Sequence, residues 1–236
     1  PAPGTYVLAE VGELTGKLSD VVVEGLAGNK FALEYKDGKI VLNFSDTRDR
    51  ESSVWTGDKG SVWDLMSTEN FSSSDKLFVT GDELTFNDDA STTDVNLAEN
   101  VTPGNIFFKN KKKDYSLAGK GSILGKDSLN VECTGTLNIK NTNKYSGGTN
   151  IMGGILAPAT LANKDGLEFG SLGSADNTIT LSNKGTLKVA SGMTASHPIV
   201  LGENGGTINN TGTLILNGGI IRANGGKNPD LYKTGA

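Results

Sequence analysis

Residues 134–156 have the sequence TGTLNIKNTNKYSGGTNIMGGIL, and this stretch decides the fold. It contains three short apolar pairs, which are Leu137/Ile139, Thr149/Ile151 and Ile155/Leu156. Such brief alternation is typical of half-buried strands, and the glycines and asparagines between the pairs tolerate positive φ. Strands of three or four residues are not stable as isolated hairpins. We therefore expect them to stack on copies of themselves in a parallel β-helix.

A Gly-Thr-Leu or Gly-Thr-Ile pattern returns along the second half of the chain. It occurs at residues 135–137, 185–187, 206–208 and 212–214. The spacing predicts coils of about 20 residues, each with three short strands and three turns. Aliphatic side chains would then form inward columns, and turn asparagines would form ladders between coils. The asparagines that we expect to stack are Asn183, Asn204 and Asn217.

Composition divides the chain near residue 115. The 236 residues carry a formal net charge of −5, which argues against a nucleic-acid-binding protein with a basic face. Residues 1–114 contain 12 basic and 20 acidic side chains, whereas residues 115–236 contain 10 basic and 7 acidic ones. No apolar run approaches the roughly 20 residues that cross a bilayer. The chain begins with Pro1, and we expect it to be a piece of a longer protein.

We predict an all-β chain with three regions. Residues 1–48 form an antiparallel meander that closes a preceding module, residues 49–114 form an aromatic-rich cap, and residues 115–236 form the β-helix. The meander strands are predicted at residues 5–10, 20–24, 30–35 and 40–44, with a hairpin at Asp37-Gly38. Residues 46–53 are predicted to be a linker. In the cap we predict strands at residues 95–97 and 106–108 and one helical turn at residues 64–69.

The central stretch resembles the passenger-associated transport repeat, also called the autotransporter-associated β-strand repeat. The matching residues are Gly135, Thr136, Leu137, Thr142, Asn143, Tyr145, Gly147, Gly148, Thr149, Ile151, Gly153, Gly154 and Leu156. Residues 131–133 depart from the family pattern, which usually has lysine and glycine there. The resemblance implies a right-handed parallel β-helix in a secreted or surface-exposed protein of a Gram-negative bacterium. It also implies a repeat associated with export and folding of long passengers, and it gives the matching residues a structural role.

Two tryptophans are candidate carbohydrate contacts. Trp55 and Trp63 lie eight residues apart, and an exposed indole stacks well on a sugar ring. The alternative, which we prefer, is a hydrophobic plug that covers the first coil, because an open β-helix end invites aggregation.

The sequence offers little material for catalysis. A β-helix polysaccharide lyase needs clustered carboxylates for calcium and a basic proton acceptor, but the acids of residues 115–236 are scattered. Asp165 and Glu168 are the nearest pair, and we interpret them as part of a strand edge or loop. We predict that His197, the single histidine, lies in an exposed turn and that Cys133, the single cysteine, is a small buried hydrophobe.

Two charged clusters are predicted to be solvated surface. Asp82, Glu83, Asp88 and Asp89 surround Phe86 without the spacing of a calcium loop, and Lys109 and Lys111–Lys113 would form a loop tip that discourages sheet-edge association. We predict no metal, no cofactor and no nucleic-acid partner.

Together these patterns favour a structural stalk or passenger segment over an enzyme. We expect it to lie outside the cell or on the outer-membrane surface, to support adhesion to glycans or a host surface, and to contact neighbouring β-helix modules. The alternative is a carbohydrate-binding or non-catalytic appendage of a polysaccharide-degrading β-helix protein.

Overall fold

The structure is a computed structural model, and it describes residues 4–18, 31–44, 49–223, 227 and 229–235. The regular elements in these ranges are 23 strands, and no α-helix occurs in them. The predicted all-β class is therefore confirmed. The predicted strand at residues 20–24 lies outside the described residues.

A three-stranded antiparallel sheet forms the N-terminal part. Its strands are β1 (Gly4–Glu10), β2 (Phe31–Lys36) and β3 (Lys39–Phe44), in the order β1-β3-β2. The predicted hairpin joins β2 to β3, and Asp37 and Gly38 have φ values of 51° and 72°. Positive φ at both central residues matches the twist of antiparallel strands, which explains the Asp-Gly pair.

Two eight-stranded parallel sheets form the β-helix. Sheet 1 contains β4 (Ser52–Val54), β6 (Glu83–Phe86), β8 (Ile106–Phe108), β10 (Leu129–Val131), β12 (Thr149–Ile151), β16 (Ile179–Leu181), β19 (Ile199–Leu201) and β22 (Ile220–Arg222). Sheet 2 contains β5 (Val62–Trp63), β7 (Asp94–Leu97), β9 (Tyr115–Gly119), β11 (Thr136–Ile139), β13 (Ile155–Pro158), β17 (Gly185–Val189), β20 (Gly206–Asn210) and β23 (Leu231–Thr234). The chain alternates between the sheets and makes about seven turns.

The other strands lie on the third side of the helix or on an insertion. β18 (Met193–Ala195) and β21 (Leu214–Leu216) pair in parallel. β14 (Phe169–Gly170) and β15 (Gly173–Ser174) pair in antiparallel orientation, within a coil that is longer than the coils on either side of it. Leu129 pairs with Thr149, 20 residues later, whereas Thr149 pairs with Ile179, 30 residues later. The predicted period is confirmed on either side of this insertion.

Parallel pairing starts upstream of Tyr115. β4 pairs with β6, and β6 pairs with β8, so the aromatic region supplies the first coils of the same helix. Ser52 and Ser53, predicted to be linker, belong to β4. The helical turn predicted at residues 64–69 is wrong. Instead, the Asp64 carboxylate closes this bend by accepting hydrogen bonds from the Thr68 N–H at 2.8 Å and the Thr68 hydroxyl at 2.7 Å.

The inward columns are confirmed. Leu137 pairs with Leu156, Leu156 with Leu187, and Leu187 with Ile208, and none of these side chains is more than 4% exposed. In-register pairing of short strands fixes this result, since each inward residue lies above its equivalent in the previous coil. The core is therefore one continuous stack along the helix.

Candidate functional site

The first coils enclose an aromatic cluster. Trp55 and Trp63 are both 0% exposed. The Trp55 indole N–H donates to the Thr92 carbonyl oxygen at 2.9 Å, and the Trp63 ring lies edge-on to Phe78 with centroids 5.5 Å apart. This burial agrees with a hydrophobic plug. It corrects the carbohydrate alternative for these residues, because neither indole face is open to a sugar.

The chain closes this end of the helix itself. Phe71 forms an antiparallel bridge with Trp55. The Ser72 N–H donates to the Val54 carbonyl oxygen at 2.9 Å, and the Ser72 hydroxyl accepts from the Val54 N–H at 2.8 Å. The outer edge of β4 is therefore occupied at Val54.

Glycines of the central motif let the corners of successive coils stack. Gly153 and Gly154 have φ values of 153° and 60°. A β-carbon at Gly154 would lie 2.5 Å from Cys133 Sγ, and one at Gly135 would lie 2.7 Å from the Lys113 carbonyl oxygen. These positions have no room for a side chain, so the motif glycines serve backbone packing.

The middle of the motif places a hydroxyl pair in the core. Tyr145 and Thr149 are buried, and their hydroxyl oxygens are 2.7 Å apart. Burial raises the pKa of Tyr145, so the phenol stays protonated. Gly148 has a φ of 85°, and Gly147 packs directly on the backbone of the preceding coil. Thr136 donates its N–H to Asp114 at 2.6 Å. These contacts are structural, and those of Gly147 and Thr136 join neighbouring coils.

His197 is buried, and the exposed turn predicted for it is wrong. Its Nδ1 lies 2.9 Å from the Asn177 carbonyl oxygen, and its Nε2 accepts the Ala162 N–H at 3.2 Å. The ring must therefore be neutral, with the proton on Nδ1. Burial lowers the pKa of His197. The insertion after β13 supplies Ala162, a long-range contact that no local pattern around His197 indicates.

Cys133 is a buried hydrophobe, as predicted. Its side chain is 3% exposed, and burial raises the pKa of the thiol. Its Sγ lies 3.2 Å from the Gly135 carbonyl oxygen. A protonated, enclosed thiol is a poor nucleophile, so this position supports packing.

The acidic cluster around Phe86 is not a uniform solvated edge. Asp82 is buried and accepts the N–H groups of Glu51 at 2.9 Å and Val79 at 2.8 Å, which corrects the prediction for this residue. Asp88 accepts the three consecutive N–H groups of Lys111–Lys113 at 2.8–3.0 Å. These bonds lower the pKa of Asp88. Both carboxylates are thus used to fix turns.

The remaining residues that were considered as site candidates do not come together in one place. Asp165 and Glu168 lie exposed on the insertion that carries β14 and β15. Among the described residues, no group of three or more potential ligands could hold a metal ion. Lys109 interacts with its neighbours, since its Nζ lies 4.7 Å from the Phe107 ring centroid and 3.7 Å from Glu132.

The strongest candidate for a functional surface is the last coil, formed by β22 and β23. Both strands are the outermost members of their sheets among the described residues. Ile221 is 60% exposed and Tyr232 is 56% exposed. A cavity of about 220 Å³ opens into the lumen here, lined by Ile208, Leu214, Leu216, Ile220, Leu231 and Lys233.

Register explains the mixed chemistry of this coil. Arg222 pairs with the inward residue Leu201, and Lys233 pairs with the inward residue Ile208, so cations take two positions that hold aliphatics in earlier coils. Lys233 Nζ donates to the carbonyl oxygens of Asn210 at 3.0 Å and Gly235 at 3.1 Å. Inward-pointing charge is a known way to protect an open sheet edge. The change from aliphatic to basic residues in the columns was the sequence signal for this feature.

Comparisons with known proteins do not identify a family for this chain. Among the residues that the structure describes, no helix has the length and apolar character needed to cross a membrane. No family model, curated protein or solved structure matches the chain, so the family that the central motif resembles stays a prediction.

Proposed function

We propose that the chain is a structural segment that forms a stiff stalk and folds by templated stacking of coils. The observation that carries this proposal is the pair of continuous eight-stranded sheets, closed at β4 by the chain itself and extending, among the described residues, to β22 and β23. Each coil offers two strand edges and an inward column to the next. Stability then accumulates through nearest-neighbour interfaces, as in other solenoids.

A stalk of this kind suits export through a narrow passage. Short coils with local contacts can form one after another as the chain emerges, and no ATP-driven step is needed. We propose on the strength of the motif resemblance that this folding takes place at the outer surface of a Gram-negative bacterium. Adhesion to a host surface or to glycans would be the biological result, and further β-helix modules would dock on the last coil.

A structural role is preferred to polysaccharide lyase chemistry. Asp165 and Glu168 lie on the exposed insertion, whereas Asp82 and Asp88 are already used as acceptors for backbone N–H groups. The single histidine is neutral and bonded on both ring nitrogens. These contacts favour packing over proton transfer.

Truncation tests the stacking account. A chain that ends at Asn217 lacks β22 and β23, and one that ends at Ser182 also lacks β17–β21. We expect both to stay folded, with a free energy of unfolding that falls coil by coil in denaturant titrations. Complete unfolding of the chain that ends at Asn217 would show a single cooperative domain and would contradict templated stacking.

Display on cells tests the proposed location and role. The whole chain would be expressed in a Gram-negative host between an export signal and an outer-membrane translocator. We expect external protease to remove it from intact cells, and cells that carry it to adhere to host-cell layers more strongly than cells that carry the translocator alone. Retention of the chain inside the cell would contradict the surface role, and equal adherence would contradict the adhesive one.

A further inference from the structure

A groove of about 380 Å³ crosses the outer face of sheet 2 between β13 and β17. Its walls are polar and include Asn138, Lys140, Lys188, Asn209 and Thr211. We call it the β13–β17 groove. Its size lies within the usual range for a small-molecule site.

The groove opens because the ladder between β13 and β17 is short. These strands pair at only two positions, whereas β11 and β13 pair at four and β17 and β20 pair at five. Pro158 has no N–H to donate, and the chain then leaves the sheet to form the insertion. Lys188 and Val189 consequently pair with β20 on one side and face the groove on the other.

Four polar side chains of the groove have no ion-pair or hydrogen-bond partner among the described residues. Lys140 and Lys188 are exposed, and neither has a carboxylate partner among the described residues. Within the same described part of the chain, the Asn209 amide and the Thr211 hydroxyl have no hydrogen-bond partner. This contrasts with Asn130, whose amide bonds to a neighbouring coil.

The charge of the groove is opposite to that of the chain. Of the described residues, no aspartate or glutamate lines it, although the whole chain carries a net charge of −5. The lining also has an apolar part, in which Ile139, Pro158 and Val189 are buried and Ala157 and Ala159 contribute small side chains. An anionic group of a ligand would contact the ammonium groups of Lys140 and Lys188, and a flat C–H surface of the ligand would pack against the alanines.

We propose that the β13–β17 groove binds an acidic oligosaccharide, with its carboxylates or sulfates on Lys140 and Lys188. Asn138, Asn209 and Thr211 supply the donors and acceptors that sugar hydroxyls need. The lysines lie two coils apart, so their backbones are separated by about 10 Å along the helix axis, which favours a ligand with several charges over a single anion. This site does not depend on the stalk function and differs from the buried tryptophans.

Titration of the whole chain with two acidic probes tests the site. The probes are a size-defined oligogalacturonate and a heparin-derived oligosaccharide, and the reference ligands are a neutral oligogalactan and inorganic polyphosphate. We expect at least one acidic probe to bind more tightly than both references. Lys140→Gln and Lys188→Gln should each weaken that binding about fivefold, the upper range for an exposed ion pair.

Two further variants separate the groove from general charge. Ala159→Phe fills the groove from an exposed position and should abolish binding while near-ultraviolet circular dichroism stays unchanged. Lys126→Gln removes an exposed lysine outside the groove and should leave affinity unchanged. The proposal is overturned if neither acidic probe binds, if polyphosphate binds as tightly, or if Lys126→Gln weakens binding as much as Lys188→Gln.

Discussion

The coils formed by β4–β9 and those formed by β16–β23 share one backbone path but differ in what fills the lumen. In the first group, the Phe86 ring lies 4.6–5.9 Å, centroid to centroid, from the rings of Trp55 and Trp63 in the preceding coil and of Phe108 and Tyr115 in the following coil. In the second group, Leu187 lies between Leu156 and Ile208 in a simple column.

This difference determines how far the effect of a change spreads. A large ring contacts coils on both sides and several neighbours at once, so the aromatic coils form a cross-linked core. An aliphatic column transmits packing only to the next coil. We therefore expect the N-terminal coils of this chain to unfold as a unit, and its C-terminal coils to lose structure progressively from the coil of β22 and β23.

The largest expected effect comes from a charge in the aliphatic column. Leu187→Asp should destabilise the C-terminal coils by more than about 5 kcal/mol, because burial of a carboxylate adds to the loss of leucine packing. Hydrogen exchange followed by mass spectrometry should show lost protection in β16–β23 and retained protection in β4–β9. Lys188→Asp, on the outward face beside it, is the control and should change stability by less than about 0.5 kcal/mol. A wild-type melting profile for Leu187→Asp would show that the inward assignment is wrong.

Loss of a central ring tests the other half of the comparison. Phe86→Ala should cost about 3–5 kcal/mol, and protection should fall in all three coils that the ring contacts. Phe107→Ala removes a half-buried ring on the outward face of β8 and should cost only about 1 kcal/mol. If Phe86→Ala affected β6 alone, the aromatic coils would be no more cross-linked than the aliphatic ones.

A corner glycine tests the backbone stacking that joins the two groups. Gly154→Ala should cost about 3 kcal/mol, since the left-handed backbone disfavours alanine and the new methyl would meet Cys133 Sγ. Gly192→Ala is a matched control, because Gly192 has a φ of 81° but open space around its missing β-carbon. It should cost about 1 kcal/mol in the same urea titration. If both variants lost the same free energy of unfolding, the cost at Gly154 would come from its backbone conformation and not from close contact between coils.

The sequence predicted the parts of this molecule that depend on local periodicity. Recurring Gly-Thr-Leu fixed the inward column through Leu137 and Leu187, because strand alternation and coil length are both local properties. The asparagine ladder is confirmed for Asn183 and Asn204, whose side chains bond at 3.1 Å. Asn217 lies at a different corner, where its backbone N–H donates to Ala195.

Features that depend on distant segments could not be predicted. The first coil starts at Ser52, but aromatic core residues replace the Gly-Thr-Leu pattern there and hide the period. The burial of His197 requires the insertion that supplies Ala162, 35 residues away. Asp82 is likewise covered by backbone donors from Glu51 and Val79, which only the folded coil brings together.

The smallest expected effect is a pH dependence confined to the C-terminal coils. The pKa of His197 is lowered below its unfolded value of 6.5, so the unfolded chain binds the proton more readily than the folded chain. Its contribution to stability is therefore complete above pH 6.5 and decreases as the pH falls toward the folded pKa. Protonation would turn Nε2 from an acceptor into a donor facing the Ala162 N–H.

Urea titrations at pH 7.5 and 5.5 test this expectation. The free energy of unfolding of the wild-type chain should be lower at pH 5.5, and His197→Asn should reduce this difference. Hydrogen exchange should rise first around β18 and the insertion. An equal pH dependence in His197→Asn would show that His197 is not its source. Asp88 would not explain such a loss either, since its lowered pKa predicts a loss only at more acidic pH.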